Sequence, residues 1–232
     1  MDTIAMLPTY NEAENIKQVI DEILNCGLDI EVLVVDDMSP DGTYKIVESL
    51  SKSNPKIHLL LRKEKKGRGY AGIEGFKKAV EMGAQYIVEM DADGSHNPKY
   101  LPIFRKEIEN CGAVIGSRYV KGGKDESRTL LRKTISAFSR IYLALVMGVK
   151  IKDPTSGFRM YKKQTLEKFL DKLKASDPFI VAEVVYYLKK FKCQVKECPI
   201  EFMPRIAGSS KLRPFTLVKY LFKVLKLRIV NL

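Results

Sequence analysis

Tyr86-Ile87-Val88-Glu89-Met90-Asp91-Ala92-Asp93 carries an apolar run straight into two carboxylates one residue apart. Strand side chains two apart point to the same side, so a strand ending here aims Asp91 and Asp93 at one spot. Like charges that close raise each other's pKa unless a cation neutralises them, and paired carboxylates are a usual start for a divalent-metal site. The competing reading is a plain polar turn through Gly94-Ser95-His96-Asn97, with Ser95 or Asn97 capping the helix after Pro98. The surrounding chain decides between them.

Working outward, apolar runs alternate with helical patterns. Strands are expected at Ile4–Leu7, Glu31–Val35, Ile57–Leu61, Tyr86–Met90 and Ala113–Gly116, with helices at Glu12–Cys26, Gly42–Ser51, Gly72–Met82 and Lys99–Asn110 between them. Such β-α repetition predicts an α/β fold with a mostly parallel, helix-covered sheet. In open α/β sheets ligands bind beyond the carboxyl ends of the strands. Three polar clusters fall there: Pro8-Thr9-Tyr10-Asn11-Glu12, Asp36-Asp37-Met38-Ser39-Pro40-Asp41-Gly42, and Asp91-Ala92-Asp93.

The second half reads differently. A long amphipathic helix is expected over Thr129–Met147, with Leu131, Ile135, Phe138, Tyr142 and Leu145 on one face. Asp153-Pro154-Thr155-Ser156-Gly157 makes a turn before Phe158-Arg159-Met160-Tyr161, and Asp153 is read as stabilising that turn. Helices at Lys163–Leu173 and Phe179–Phe191, a strand pair at Gln194–Lys196 and Ile200–Phe202, and a basic, apolar helix from Pro214 complete the chain. The division expected is a catalytic domain over 1–212 followed by the helix 213–232.

At 232 residues, 45% hydrophobic and 29% charged, the chain is long enough for one domain with a sizeable core. Four cysteines without a CxxC spacing and only two histidines argue against a zinc site and for free thiols in a reducing compartment. The N-terminus opens directly into a strand pattern, so no signal peptide is expected. No uncharged apolar stretch approaches the ~18 to 20 residues of a membrane span. The net charge of +12 is concentrated: residues 121–140 hold six Lys/Arg against two acids, and residues 203–232 hold seven and no acid. A surface of that kind suits nucleic acid, anionic lipid or a phosphorylated substrate.

Each cluster has its own chemistry. Asp37, at the end of the second strand, is placed to hold a base edge or ribose, while Asp41 caps the next helix. Gly67-Arg68-Gly69-Tyr70-Ala71-Gly72 is a glycine-rich basic turn at a helix start. It is either a plain loop or a place where backbone and Arg68 approach a pyrophosphate. Gly116-Ser117-Arg118-Tyr119 puts another guanidinium at the same edge, suited to a phosphate.

In this order the pieces resemble the inverting glycosyltransferases of family two, with the GT-A fold, and among them the polyprenol-phosphate (dolichol-phosphate) mannosyltransferases. The resemblance rests on Pro8–Glu12, Val34–Asp37 with Ser39–Thr43, Gly67–Gly69, Met90–His96, Gly116–Tyr119, Asp153 with Ser156–Arg159, and Arg205–Lys211. It implies that Pro8, Tyr10, Glu12, Val35 and Asp37 hold the nucleoside, that Asp91, Asp93 and Ser95 hold Mg²⁺ or Mn²⁺ on the diphosphate, and that Ala92 lies against the sugar nucleotide. It further implies that Arg68, Arg118, Arg205 and Lys211 meet the donor, that Arg118, Arg132 and Arg205 meet the acceptor phosphate, and that Glu183 faces the sugar. Arg68 stands where many relatives carry Lys, which alters contact geometry.

The reaction so implied moves mannose from GDP-mannose to a polyprenyl monophosphate with inversion. The catalytic set is Asp91, Asp93, Arg118 and Glu183. UDP-glucose or another sugar nucleotide is the neighbouring alternative. A basic nucleic-acid-binding protein is the alternative of another class, and it leaves the strand-end carboxylates without purpose, so nucleic acid is not expected as a partner. A lipid-linked acceptor suggests that helices 129–147 and 214–232 lie in a membrane interface, with Lys219, Lys223 and Lys226 at the headgroups. Peripheral attachment to the cytoplasmic face, alone or through a small membrane subunit, is then expected.

Overall fold

A computed structural model describes residues 2–64, 67–126, 130–204 and 214–230 of the chain, with side chains left undescribed at 130–136, 214–218 and 230. Strands β1 (Thr3–Thr9), β2 (Ile30–Asp36), β3 (Ile57–Leu61) and β4 (Tyr86–Glu89) alternate with helices α1 (Ile16–Leu24), α2 (Thr43–Ser53) and α3 (Arg68–Glu81). After α4 (Leu101–Glu107) come β5 (Ala113–Ser117), the short β6 (Lys124–Asp125) and α5 (Leu130–Met147). Then follow β7 (Arg159–Lys162), α6 (Lys163–Leu166), α7 (Ile180–Lys190), β8 (Val195–Pro199), β9 (Glu201–Phe202) and α8 (Pro214–Val230).

Seven strands form one sheet in the order β3-β2-β1-β4-β7-β5-β8. All run parallel except β7, which is antiparallel to both β4 and β5. That antiparallel insertion is the main departure from the sequence expectation, which left Phe158–Tyr161 without an assignment. Its alternation explains it: Tyr161 enters the core on the α3 and α7 side of the sheet, while Phe158 and Met160 enter the core on the α1 and α4 side. Each face of β7 is therefore covered. The expected pairing of 194–196 with 200–202 is also corrected. β8 joins the sheet edge beside β5, and β9 pairs with β6 instead.

Helix α3 begins at Arg68 rather than Gly72, so the glycine-rich segment is the first turn of the helix. The reason lies across the interface. A Cβ on Gly69 would stand 2.2 Å from Ala175 O, and one on Gly67, whose φ is +141°, would stand 2.3 Å from Ser176 O. The Gly69 N–H donates to Ser176 O at 3.2 Å. These glycines let the start of α3 lie directly on the backbone before α7.

At the far end, α8 packs against α5 and α7: Tyr220 meets Phe179 edge-on, Tyr142 Oη donates to Leu221 O at 3.0 Å, and Val224 is buried. Among the described residues no helix is long and apolar enough to cross a membrane.

Candidate active site

The carboxyl ends of β1 and β2 set Pro8 beside Val35 and Thr9 beside Asp36. Asp36 is wholly buried and is used by its own loop: Thr9 Oγ1 and Ser39 Oγ donate to Oδ2 at 2.7 Å each, and Ser39 N–H donates to Oδ1. Asp41, one residue before Gly42 at the N-cap of α2, accepts from Thr43 N–H and from Ala13 N–H. Those bonds outweigh burial and hold its carboxyl below the ordinary range.

Asp37, the next residue, is buried, with Arg62 ion-paired to Oδ1 and Gly67 N–H donating to Oδ2 at 2.6 Å. Both oxygens are engaged within the chain. Arg62 in turn reaches Glu74 at 2.9 Å. Of the other expected nucleoside contacts, Pro8 and Val35 are buried strand residues, Tyr10 is exposed over the crevice, and Glu12 accepts from Asn15 Nδ2 at 2.8 Å.

The segment 91–96 is where the chain turns. Ladder pairing of β4 stops at Glu89, so the two aspartates sit in the loop beyond the strand rather than on it. Asp91 keeps 38% of its side chain exposed. Asp93 is buried, drawn into the turn at Gly94 (φ 77°) by Ser95, whose N–H and Oγ donate to Oδ1 at 3.0 and 2.5 Å. Ser95 was expected on the metal; the structure shows it orienting Asp93. Asn97 caps the single turn at Pro98–Tyr100. Ala92 is buried in the core beneath.

Behind Asp91 lies a network that sequence reasoning did not single out. Glu89, buried within the apolar strand, accepts from Arg68 Nη2 at 2.9 Å and from Tyr161 Oη at 3.2 Å. The same Arg68 nitrogen reaches Asp91 Oδ1 at 3.5 Å, while Nη1 is buried with no hydrogen-bond partner among the described residues. A guanidinium that reaches an accessible carboxylate is chemistry suited to an anion with a cation. For Glu89 the signal in sequence was a charged residue inside the run Tyr86–Met90.

His96 completes the turn, with Nδ1 accepting Asp91 N–H at 3.0 Å. Burial pushes its pKa down against the pull of Asp91 and Asp93, which keeps the ring neutral and the acceptor available.

Two expected site residues have other partners. Arg118 is buried and bidentate to Asp153, Nε to Oδ2 at 2.7 Å and Nη2 to Oδ1 at 2.8 Å, with Thr155 Oγ1 at 3.0 Å and Asp125 at 3.9 Å. Glu197 of β8 fixes that loop by accepting the N–H groups of Lys152 and Asp153 at 2.8 Å. Asp153 is thus more than a turn residue: it is the counter-ion that occupies the guanidinium expected on a phosphate.

Glu183 is buried and accepts from the N–H groups of Lys174 (3.1 Å) and Ala175 (2.9 Å), and burial pushes its pKa up. It holds the segment on which Gly67 and Gly69 rest. Arg205 and Lys211 lie outside the described residues, as does the side chain of Arg132.

The donor set suits a hard cation. Asp91 and Asp93 supply oxygen, and among the described residues no cluster of three His, Cys, Asp or Glu offers a full protein cage. Mg²⁺-type sites commonly use one or two carboxylates and complete their shell with phosphate and water.

Fold and site together define a glycosyltransferase of GT-A architecture. Glucosyl-3-phosphoglycerate synthase from Mycobacterium tuberculosis, solved with Mn²⁺ and UDP, superposes with a TM-score of 0.67 at 16% identity, over 99% of this chain and 79% of that one. The description of glycosyl transferase family 2 matches residues 5–170, and the chain belongs to that family. It is 35% identical over 213 residues to an undecaprenyl-phosphate mannosyltransferase of Micrococcus luteus, covering 91% of this chain and 88% of that protein. It is also 38% identical over 232 residues to a dolichol-phosphate mannosyltransferase of Pyrococcus furiosus, covering 98% and 64%.

Proposed function

We propose that this glycosyltransferase moves mannose from GDP-mannose to a polyprenyl monophosphate, with inversion at the anomeric carbon and with Mg²⁺ or Mn²⁺ bound by Asp91 and Asp93. The observation that carries it is the end of β4: an accessible carboxylate, a second one oriented by Ser95, and the Arg68 guanidinium, whose Nη2 reaches the first at 3.5 Å. The names of the M. luteus and P. furiosus relatives supply the sugar and the lipid class.

When bound, the cation offsets charge on the departing diphosphate. Arg68 donates to a diphosphate oxygen while Glu89 fixes its other nitrogen. Arg132, Arg205 and Lys211 meet the phosphates of donor and acceptor. The acceptor monoester has a second pKa near ~6 and arrives ionised, so no side chain has to remove a proton. Arg118 and Glu183 serve here as framework, through Asp153 and through the backbone at 174–175.

Attachment is peripheral. Phe138, Ile141 and Leu145 of α5 and Phe222, Leu225 and Ile229 of α8 are exposed at i, i+3, i+7 spacing on two helices that pack together. Lys219 and Lys226 lie on the exposed part of α8, whereas Lys223, expected at the headgroups, is ion-paired to Asp177.

The test is a transfer assay pairing labelled GDP-mannose, UDP-glucose and other sugar nucleotides with dolichyl and undecaprenyl phosphate, each with Mn²⁺ and with EDTA. Mannose on the lipid only with metal is the expected result. Transfer from UDP-glucose alone would overturn the donor assignment, and undiminished transfer in EDTA would overturn the metal.

A further inference from the structure

The proposed chemistry makes no use of the His96 ring, although three separate segments meet on it. Its Nδ1 accepts the backbone N–H of Asp91 at 3.0 Å. One face stacks on Phe158, just before β7, with centroids 5.1 Å apart and 14° between planes. Phe202 of β9 meets it edge-on at 5.4 Å. The His96 backbone bridges to that of Phe202, and Met203 N–H donates to Ser95 O at 3.1 Å. Gly157 closes the last side: a Cβ there would lie 3.6 Å from Asp91 Oδ2 and 3.7 Å from His96 Cε1.

An imidazole suits this place for two reasons. It has a flat face for the stack on Phe158, and its Nδ1 accepts the Asp91 amide. β9 continues directly into the stretch that carries Arg205 and Lys211. The turn that bears the aspartates is thus joined through one ring to the strand that leads into the basic stretch.

We propose that His96 is a positioning residue: by holding the Asp91 amide and packing between Phe158 and Phe202, it sets where the Asp91 carboxylate meets the divalent cation. This rests on the reading of Asp91 as a metal ligand. It predicts that loss of the acceptor weakens metal binding while nucleotide contacts made without metal persist.

Two variants separate the acceptor from the stack. His96→Phe keeps a flat ring and removes the acceptor, whereas His96→Asn places an amide oxygen near the position of Nδ1 and gives up part of the stack. The full-length protein is titrated with Mn²⁺, free ion followed by electron paramagnetic resonance, in the presence of GDP and, in parallel, UDP; nucleotide binding is measured separately in EDTA. Asp91→Asn is the control.

For His96→Phe the Mn²⁺ dissociation constant should rise about tenfold, the scale of one lost hydrogen bond. His96→Asn should recover most of that loss, and nucleotide binding in EDTA should change less than about twofold. Wild-type Mn²⁺ binding by His96→Phe, alongside its loss in Asp91→Asn, would overturn the role of His96 and leave the metal reading standing. Retention of Mn²⁺ by Asp91→Asn would overturn the metal reading, and this inference with it. Equal weakening of metal and of metal-free nucleotide binding in His96→Phe would show that the ring serves only the fold.

Discussion

The ends of β4 and β5 both gather charge at the same edge of the sheet, and they are built in opposite ways. At β4, Asp91 leaves 38% of its side chain open, and Arg68 Nη1 has no hydrogen-bond partner among the described residues. At β5, Arg118 is 2% exposed and bound on two sides to Asp153, itself held by Glu197. One end is prepared for a ligand and the other is already satisfied. A guanidinium near a cleft is therefore not a phosphate site until its own counter-ion has been sought.

The largest expected effect breaks the open end. Asp93→Ala should lower transfer at least about 100-fold, the loss seen when groups that hold a catalytic metal are removed. Circular dichroism and thermal midpoint should remain near wild type, because the bonds from Ser95 to Asp93 lie within one turn. Near-normal turnover would erase the contrast between the two strand ends.

The closed end should respond in stability first. Asp153→Ala leaves a buried guanidinium without its partner, a change that typically costs about 3–5 kcal/mol, read from the urea midpoint. Burial alone would raise the Asp153 carboxyl, but the hydrogen bonds and charge of Arg118 outweigh it and hold it below the ordinary range. A depressed folded pKa stabilises above the unfolded value of about 3.9, and that contribution fades as pH falls through the folded value. The gap between wild type and Asp153→Ala should hold from neutrality down to about pH 4 and narrow only below it. A gap that narrows near neutrality would mean that another group supplies the effect.

A smaller change sharpens how the two ends share a floor. Gly69→Ala would drive a Cβ against the carbonyl of Ala175, which Glu183 fixes from behind through the Ala175 N–H. Overpacking of this kind costs about 1–3 kcal/mol. Because Arg68 rides on the same turn, KM for the sugar nucleotide should rise as well. A loss of stability with KM unchanged would detach Arg68 from donor binding.

The sequence was most legible where one residue pattern has one structural outcome. The parallel strands β1 to β5 follow from β-branched and apolar runs that end in polar clusters, and each was placed within two residues at either end. β7 was not, since Phe158-Arg159-Met160-Tyr161 alternates two sizeable polar groups with apolar ones. Only burial on both sides of the sheet, with Arg159 donating to the carbonyls of Pro154 and Val181, makes such a strand stable.

The site was half legible for a related reason. Asp91 and Asp93 announce themselves by position, but which charge neutralises which is a matter of three dimensions. Arg62 opens a run of basic residues that look alike in sequence, and nothing in that run marks it as the partner buried against Asp37. Arg118 and Asp153 are 35 positions apart, and no local pattern connects them.

The same contrast between used and unused surface divides α8 along its length, and it gives the mildest prediction. Tyr220 and Val224 face α7 and the core, while Phe222, at 68% exposed, and Ile229 point away from it beside the exposed Lys226. Deleting the helix would confuse the two faces, because it would uncover the core. The double substitution Phe222→Ser with Ile229→Ser touches only the outer stripe, so the thermal midpoint should move little. A large apolar side chain gains about 1.5–3 kcal/mol when fully buried, and an interfacial helix realises part of that. Co-sedimentation with vesicles containing anionic lipid should fall about tenfold, with nucleotide affinity unchanged. If sedimentation is unaffected while Val224→Ser unfolds the protein, α8 is a packing helix on one face and idle on the other, and attachment must be sought in α5 or in a partner.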